Sequence, residues 1–200
     1  MTTPALLATL DPDENALRRL HARLEHDAHL DGLLDLTYTT VPTPVGELLL
    51  VASTDGLLRV AFEREDHAAV LAGLADRVGP RILRSEGRLA DAAAQVAEYF
   101  AGRRRSFDLP LDLRLLSGFR LDVVRHLREI GYGRTESYAE VAAATGHPAA
   151  VRAVGTACGR NPLPLVVPCH RVVRSDGTSG GYLGGPEAKQ LLLSLERSAA

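Results

Sequence analysis

Cys169 and His170 stand side by side in the stretch LPLVVPCHRVV, residues 163–173. A thiol next to an imidazole is one of the few arrangements that supplies a thiolate near neutral pH. A free cysteine is more often an inert small hydrophobe in a core. Pro168 removes a backbone donor and fixes φ just ahead of the thiol, so Cys169 is expected at a bend and not inside a paired strand. His170 and Arg171 are poor candidates for full burial, so the chain is expected to turn polar here. These residues alone leave a reactive thiol and an inert one both open.

The elements around this stretch are helical. Ser117 is expected to cap a helix over 117–130, with Phe119, Val123, Val124 and Leu127 inward, broken by Gly131-Tyr132-Gly133. Ser137, with Glu140 three residues on, forms the capping box of a helix over 138–144. Thr145-Gly146-His147-Pro148 turns the chain into a helix over 149–159, with Pro148 at its first position, completing a helix-turn-helix pattern. That second helix is thin: Ala149, Ala150, Ala153, Gly155, Thr156, Ala157 and Gly159, with Arg152 and Arg160 its only long polar side chains. A helix reading the major groove projects Arg, Asn and Gln to base edges. This one suits either a narrow groove or burial against a neighbour. Residues 174–185 form a glycine-dense loop without a nucleotide-binding fingerprint. Pro186 opens a helix over 187–197 whose inward face is Leu191, Leu192 and Leu195. Glu196 sits unfavourably near its C-terminal end, where the helix dipole asks for a compensating partner.

The N-terminal half changes period. β-rich runs at 36–40, 47–53 and 57–62, with a Thr54-Asp55-Gly56 turn, precede a helix over 66–78, a short strand at 81–83 and a helix over 88–100 closed by Gly102. Residues 107–116 read as a linker. Ahead of all this, residues 1–34 form a helical leader in which Asp13 caps and Leu17, Leu20 and Leu24 share a face. Its His21, His26 and His29 lack the spacing of a metal site. The reading is an α+β protein of three parts: leader 1–34, an N-terminal α/β domain 35–112, and a C-terminal helical domain 117–200.

Net charge is −2, which argues against indiscriminate nucleic-acid binding, but residues 117–200 carry +3 and residues 1–116 carry −5. Phosphate contacts are therefore expected in the C-terminal half. Two cysteines, Cys158 and Cys169, fit neither a disulfide framework nor a zinc spacing and suit a reducing cytoplasm. The first ten residues lack a signal peptide's basic region, and no apolar run approaches a membrane span.

Assembled, these residues resemble the O6-alkylguanine-DNA alkyltransferases, or methylated-DNA–protein-cysteine methyltransferases. The matching pieces are Gly133-x-x-x-Ser137-Tyr138, Val151-Arg152-Ala153-Val154-Gly155, Asn161-Pro162, Pro168-Cys169-His170-Arg171-Val172, Gly180-x-Tyr182-x-Gly184-Gly185 and the helix ending in Glu196. Thr43-Pro44-Val45-Gly46 and the following hairpin resemble the family's N-terminal domain. The resemblance implies a ribonuclease-H-like N-terminal domain and a winged-helix-like helix-turn-helix C-terminal domain. It implies a single-use DNA repair protein that flips O6-alkylguanine, and O4-alkylthymine, out of duplex DNA and moves the alkyl group irreversibly to Cys169. His170 would be the base acting through a water, Glu196 its orienting carboxylate, Tyr138 the donor to the leaving base, and Asn161 the tie between the helix-turn-helix and the active-site turn. Arg152 would fill the space of the flipped base, with Ala150 and Gly155 beside it on a helix lying in the minor groove. Val172, Tyr182 and Leu183 would hold the base edge. The resemblance implies no cofactor or metal, no membrane, and a cytoplasmic monomer acting on double-stranded DNA. Val124-Arg125 stand where the family often has an aromatic, and Gly131 where proline is frequent. Cys158 is read as buried and inert. A non-catalytic lesion binder and a helix-turn-helix regulator are the competing readings; the first typically replaces the acceptor cysteine, and the second needs base-reading side chains.

Overall fold

The computed structural model describes residues 13–198. The targeting-signal reading of the first ten residues lies outside them, as does the His29 side chain. The described residues fall into two compact units that divide between Leu34 and Asp35. The first is one helix, α1 (Glu14–Leu30), begun by Asp13, whose carboxylate accepts from the Asn15 N–H at 3.0 Å. Its leucine stripe lies open, with Leu17, Leu20 and Leu24 at 49, 63 and 55 % exposure.

The second unit opens with a meander of β1 (Leu36–Thr43), β2 (Gly46–Ser53) and β3 (Gly56–Phe62), joined by β4 (Ile82–Arg84) parallel to β1. The sheet order is β3-β2-β1-β4. Pro42 fits because β4 pairs only with residues 36–38, leaving no ladder on that side of β1. Leu48, Leu49, Leu50 and Val51 are all fully buried, and since alternate side chains point to opposite faces, both faces of β2 are covered. On one face Leu49, Val51, Leu58 and Ala61 meet Leu74 of α2 (His67–Arg77). On the other, Leu48, Leu50, Val60 and Phe62 meet Ala92, Val96 and Tyr99 of α3 (Ala90–Phe100), and this core continues into the C-terminal helices.

The C-terminal part holds α4 (Phe119–Leu127), β5 (Glu136–Ser137), α5 (Tyr138–Ala144), α6 (Val151–Gly159), β6 (Val172–Val173) and α7 (Gly185–Ser198). Several expectations shift. Gly118, at φ +54°, and not Ser117, precedes the first turn of α4, and the helix ends at Leu127 because the next turn tightens to three-residue bonds such as Glu129 N–H to His126 C=O at 2.8 Å. Pro148 lies before α6 in a turn closed by the Ala150 N–H on His147 C=O at 2.8 Å. The capping box forms as expected, Ser137 accepting from the Glu140 N–H at 3.2 Å and Glu140 from the Ser137 N–H at 2.6 Å. The β5–β6 pair, Glu136 with Val172 and Ser137 with Val173, is too short to carry a strand pattern in sequence. It fastens the start of α5 to the segment that follows Cys169. The buried face of α7 is Ala188, Lys189, Leu192 and Glu196; Leu191 and Leu195 are only partly covered. None of the described helices is long and apolar enough to cross a membrane.

Candidate active site

The apolar run from Leu163 does not form a strand. Leu165 takes φ +73°, a costly conformation for a branched residue, and the Val167 N–H closes a turn on Leu163 C=O at 2.7 Å. Pro168 then leads into a 3₁₀ turn, Cys169–Arg171, which places the thiol at a bend. Asn161, fully buried, holds this turn together. Its amide donates to Val167 C=O at 2.9 Å and to Cys169 Sγ at 3.2 Å, and its oxygen accepts from the Leu163 N–H at 3.0 Å. Burial pushes the Cys169 thiol up to about 11, while the Asn161 donor and the Lys189 charge pull it back. Burial therefore favours the protonated thiol at neutral pH, and any use of Cys169 as a nucleophile would require a base.

His170 and Arg171 are buried, at 0 and 7 % exposure, against the expectation of a polar exit. The reason is Glu196, itself 1 % exposed, which meets both. His170 Nε2 lies 2.9 Å from Glu196 Oε1; Arg171 donates through Nε at 2.9 Å and Nη2 at 2.9 Å. Two further donors reach the carboxylate, the Tyr99 hydroxyl at 2.7 Å and the Gly133 N–H at 3.0 Å. Burial alone would raise the Glu196 pKa, but the donors from His170, Arg171 and Tyr99 outweigh it and hold the carboxyl well below the usual range. The His170 imidazole is held below its ordinary value, burial outweighing the pull of Glu196. Its Nδ1 is buried without a hydrogen-bond partner, so one ring nitrogen is anchored and the other is open.

Near both thiols the half-buried Tyr138 begins α5, its phenol pushed up to about 12 by burial, by Cys158 and by Cys169. A Cβ on Gly180 would come within 2.3 Å of the Tyr138 hydroxyl, so only glycine lets the 174–185 loop lie against that ring. The partly buried Tyr182 ring sits 6.2 Å from His170 and 5.4 Å from Phe62, its hydroxyl buried and unpartnered. Leu183 lines a cleft of 460 Å³ together with Asn161, Pro162, Arg59 and Glu65. The carbonyl of the buried Val172 accepts from Lys189 Nζ.

α6 has features of both readings of the thin helix, one face buried and one open. Val154, Ala157 and Cys158 face inward, while Arg152, Ala153 and Thr156 form an open, small-residue surface. Ala150 caps it half-buried, and a Cβ on Gly155 would meet the Tyr138 ring at 3.9 Å, an ordinary contact. Cys158 is buried, its thiol raised by burial and by Cys169.

Three functional neighbours escaped the sequence reading: Tyr99, Arg171 as an ion partner, and Lys189. Lys189 is the sole lysine among 22 arginines and lies seven residues before Glu196, on the same helical face. That pattern was the available signal. Tyr99 left none, because 97 residues separate it from Glu196.

The fold and site define a class: a two-domain protein with a helix-turn-helix and a buried Cys-His-Glu constellation suited to covalent group transfer onto the thiol. The family model described as the ribonuclease-like domain of 6-O-methylguanine DNA methyltransferase matches residues 36–113, and that of the DNA-binding domain matches residues 118–198. The chain belongs to this family. It is 42 % identical over 161 residues to the constitutive methylated-DNA–protein-cysteine methyltransferase of Bacillus subtilis, covering 80 % of this chain and 94 % of that one. It also resembles the crystal structure of the Mycobacterium tuberculosis O6-methylguanine methyltransferase, at TM-score 0.73 and 36 % identity over 82 % of this chain and 94 % of that one. The Mycobacterium tuberculosis protein in complex with DNA matches at TM-score 0.70 and 37 % identity, with the same coverage.

Proposed function

We propose that Cys169 is the alkyl acceptor of a single-turnover repair reaction on O6-alkylguanine in duplex DNA. Family membership makes the protein a DNA repair methyltransferase that moves the methyl group of methylated DNA onto one of its own cysteines. The observation that carries the assignment to Cys169 is the buried His170–Glu196 pair, with Nδ1 open, on the residue that follows the thiol in the same 3₁₀ turn. His170 accepts the thiol proton through a water, while Glu196 fixes the ring and stabilises the imidazolium that forms. The thiolate sulfur attacks the alkyl carbon on O6, the carbon–oxygen bond breaks, and its electron pair goes to guanine. Tyr138, kept protonated by burial, donates to the departing base. The product is a thioether with no leaving group to restore the thiol, so each molecule acts once.

A buried thiol cannot reach O6 inside a stacked duplex, so the base is extruded at a cost of a few kcal/mol. The open small-residue face of α6 suits the minor groove, with Arg152 entering the vacated stack and Ala150 and Gly155 allowing close approach. Val172, Tyr182 and Leu183 border the space for the base. O4-alkylthymine, which presents the same alkyl–oxygen bond, is the second substrate. Two free cysteines suit a reducing cytoplasm, and we take the protein to act there as a monomer.

Intact mass and peptide mapping after incubation with a duplex carrying one O6-methylguanine test this. The expected result is one methyl per molecule, on Cys169. Methyl on Cys158 reassigns the acceptor; tight lesion binding without a mass change makes the protein a non-catalytic binder; a sequence-specific footprint makes it a regulator.

A further inference from the structure

Tyr99 comes from α3, in the N-terminal sheet domain, yet its fully buried hydroxyl donates to Glu196 Oε1 at 2.7 Å. That same oxygen receives His170 Nε2 at 2.9 Å and Arg171 Nη2 at 2.9 Å. The phenol cannot swing away, because the rings of Phe100, Phe107 and Tyr132 surround it at 5.4, 5.4 and 6.0 Å between centroids. We propose that Tyr99 is a positioning residue of the proton relay: its hydroxyl takes up charge on the Glu196 oxygen that faces His170 and so keeps the imidazole neutral until the thiol reacts.

The proposal rests on the reading of His170 as the base. A base must enter the reaction unprotonated, and a bare carboxylate against Nε2 would raise the proton affinity of the ring. Each further donor on that oxygen weakens its pull. Arg171 and Lys189 also oppose a charge on His170, and burial does the same. The remaining titratable groups around the pair are Tyr132, over which Arg105 and Arg171 lie at 5.7 and 5.8 Å, together with Tyr182 and Cys169. Tyr99 differs from these in touching the carboxylate as a neutral donor. Burial and the Glu196 charge hold its own pKa far above the usual phenol value, so it donates at every working pH. The N-terminal domain thereby supplies a part of the site.

Tyr99→Phe and substitution of Tyr99 by fluorotyrosines of increasing acidity separate this role from a packing one, since the fluorinated rings keep the shape and strengthen the donor. The readouts are the His170 ring ¹⁵N shifts against pH and the acid limb of methyl transfer from O6-methylguanine duplex. Tyr99→Phe is expected to raise the His170 midpoint by about one pH unit, the scale of one hydrogen bond to a charged group, and the acid limb with it. The fluorotyrosines are expected to lower both. A midpoint unmoved across the fluorotyrosine series overturns the proposal even if the Phe variant fails to fold. A midpoint that moves while the acid limb stays put supports the hold of Tyr99 on His170 and overturns instead the reading of His170 as base.

Discussion

Asn161 makes three hydrogen bonds with one side chain, and each partner is buried: the Cys169 sulfur, the Val167 carbonyl and the Leu163 N–H. No isostere replaces all three. Removing the amide leaves the buried Leu163 N–H unpaired, costing about 1–3 kcal/mol, and takes one of two donors from the Val167 carbonyl, which keeps the Cys169 N–H at 2.8 Å. Asn161→Ala is therefore expected to lower unfolding stability by about 3 kcal/mol, measured by urea denaturation. It also strips the thiolate of its only side-chain donor among the described residues, so the pH midpoint of Cys169 alkylation by iodoacetamide should rise. A stability loss with an unchanged midpoint would make Asn161 a structural tie alone.

At the scale of elements, α6 divides its duties by face. Its inward residues join the core, and its outward residues, Arg152 apart, are too small to read bases and leave room for the close approach of a groove. Arg152 projects from this open face, where no ion pair holds its side chain among the described residues. Arg152→Ala is expected to leave the slow reaction with free O6-methylguanine base intact while cutting the rate on duplex DNA by at least tenfold, since the role proposed for it is to hold the stack open. Equal losses on both substrates would remove Arg152 from base extrusion. The 3₁₀ turn at Cys169, the short β5–β6 pair and the C-terminal turns of α7 are three small elements, and only together do they bring thiol, imidazole and carboxylate to one place.

Across the whole molecule, the core that covers one sheet face runs without a break into the C-terminal helices, so the buried relay and folding stability are coupled. His170 sits below its ordinary value when folded, so on unfolding near or below pH 6.5 the chain takes up a proton, and stability falls as pH drops through that range. Glu196 is depressed in the fold, so its contribution is complete above about pH 4.3, the value in an unfolded chain, and is lost as pH falls further. Thermal unfolding should therefore show a melting temperature that declines from neutrality and steepens in the carboxylate range. Glu196→Gln should lower the melting temperature at pH 7, because Arg171 loses its partner, and flatten the slope below pH 5. A variant with the wild-type slope would show that the acid sensitivity lies elsewhere.

Much of this protein is written locally. The Pro-Cys-His-Arg bend, the Ser137–Glu140 capping box, the meander and its turn, and the α2 and α3 helices all follow from adjacent residues, because turns, caps and periodicity are short-range effects. The same locality made Glu196 legible as a carboxylate awaiting a partner at a helix end. What the sequence left open depended on distant contacts. His170 and Arg171 are buried because Glu196, 26 and 25 residues away, hydrogen-bonds both and neutralises Arg171. Tyr99 joins that carboxylate from another domain, and Lys189 turns inward to the Val172 carbonyl. The ends of α4 and the start of α6 moved for a local reason instead, short-range backbone bonds such as Ala150 N–H to His147 C=O replacing the capping expected of Ser117 and Pro148. Sequence determined the candidate reacting groups and the bend that presents the thiol; tertiary packing decided the shifts in their proton affinity, because burial and charge partners are properties of the assembled core.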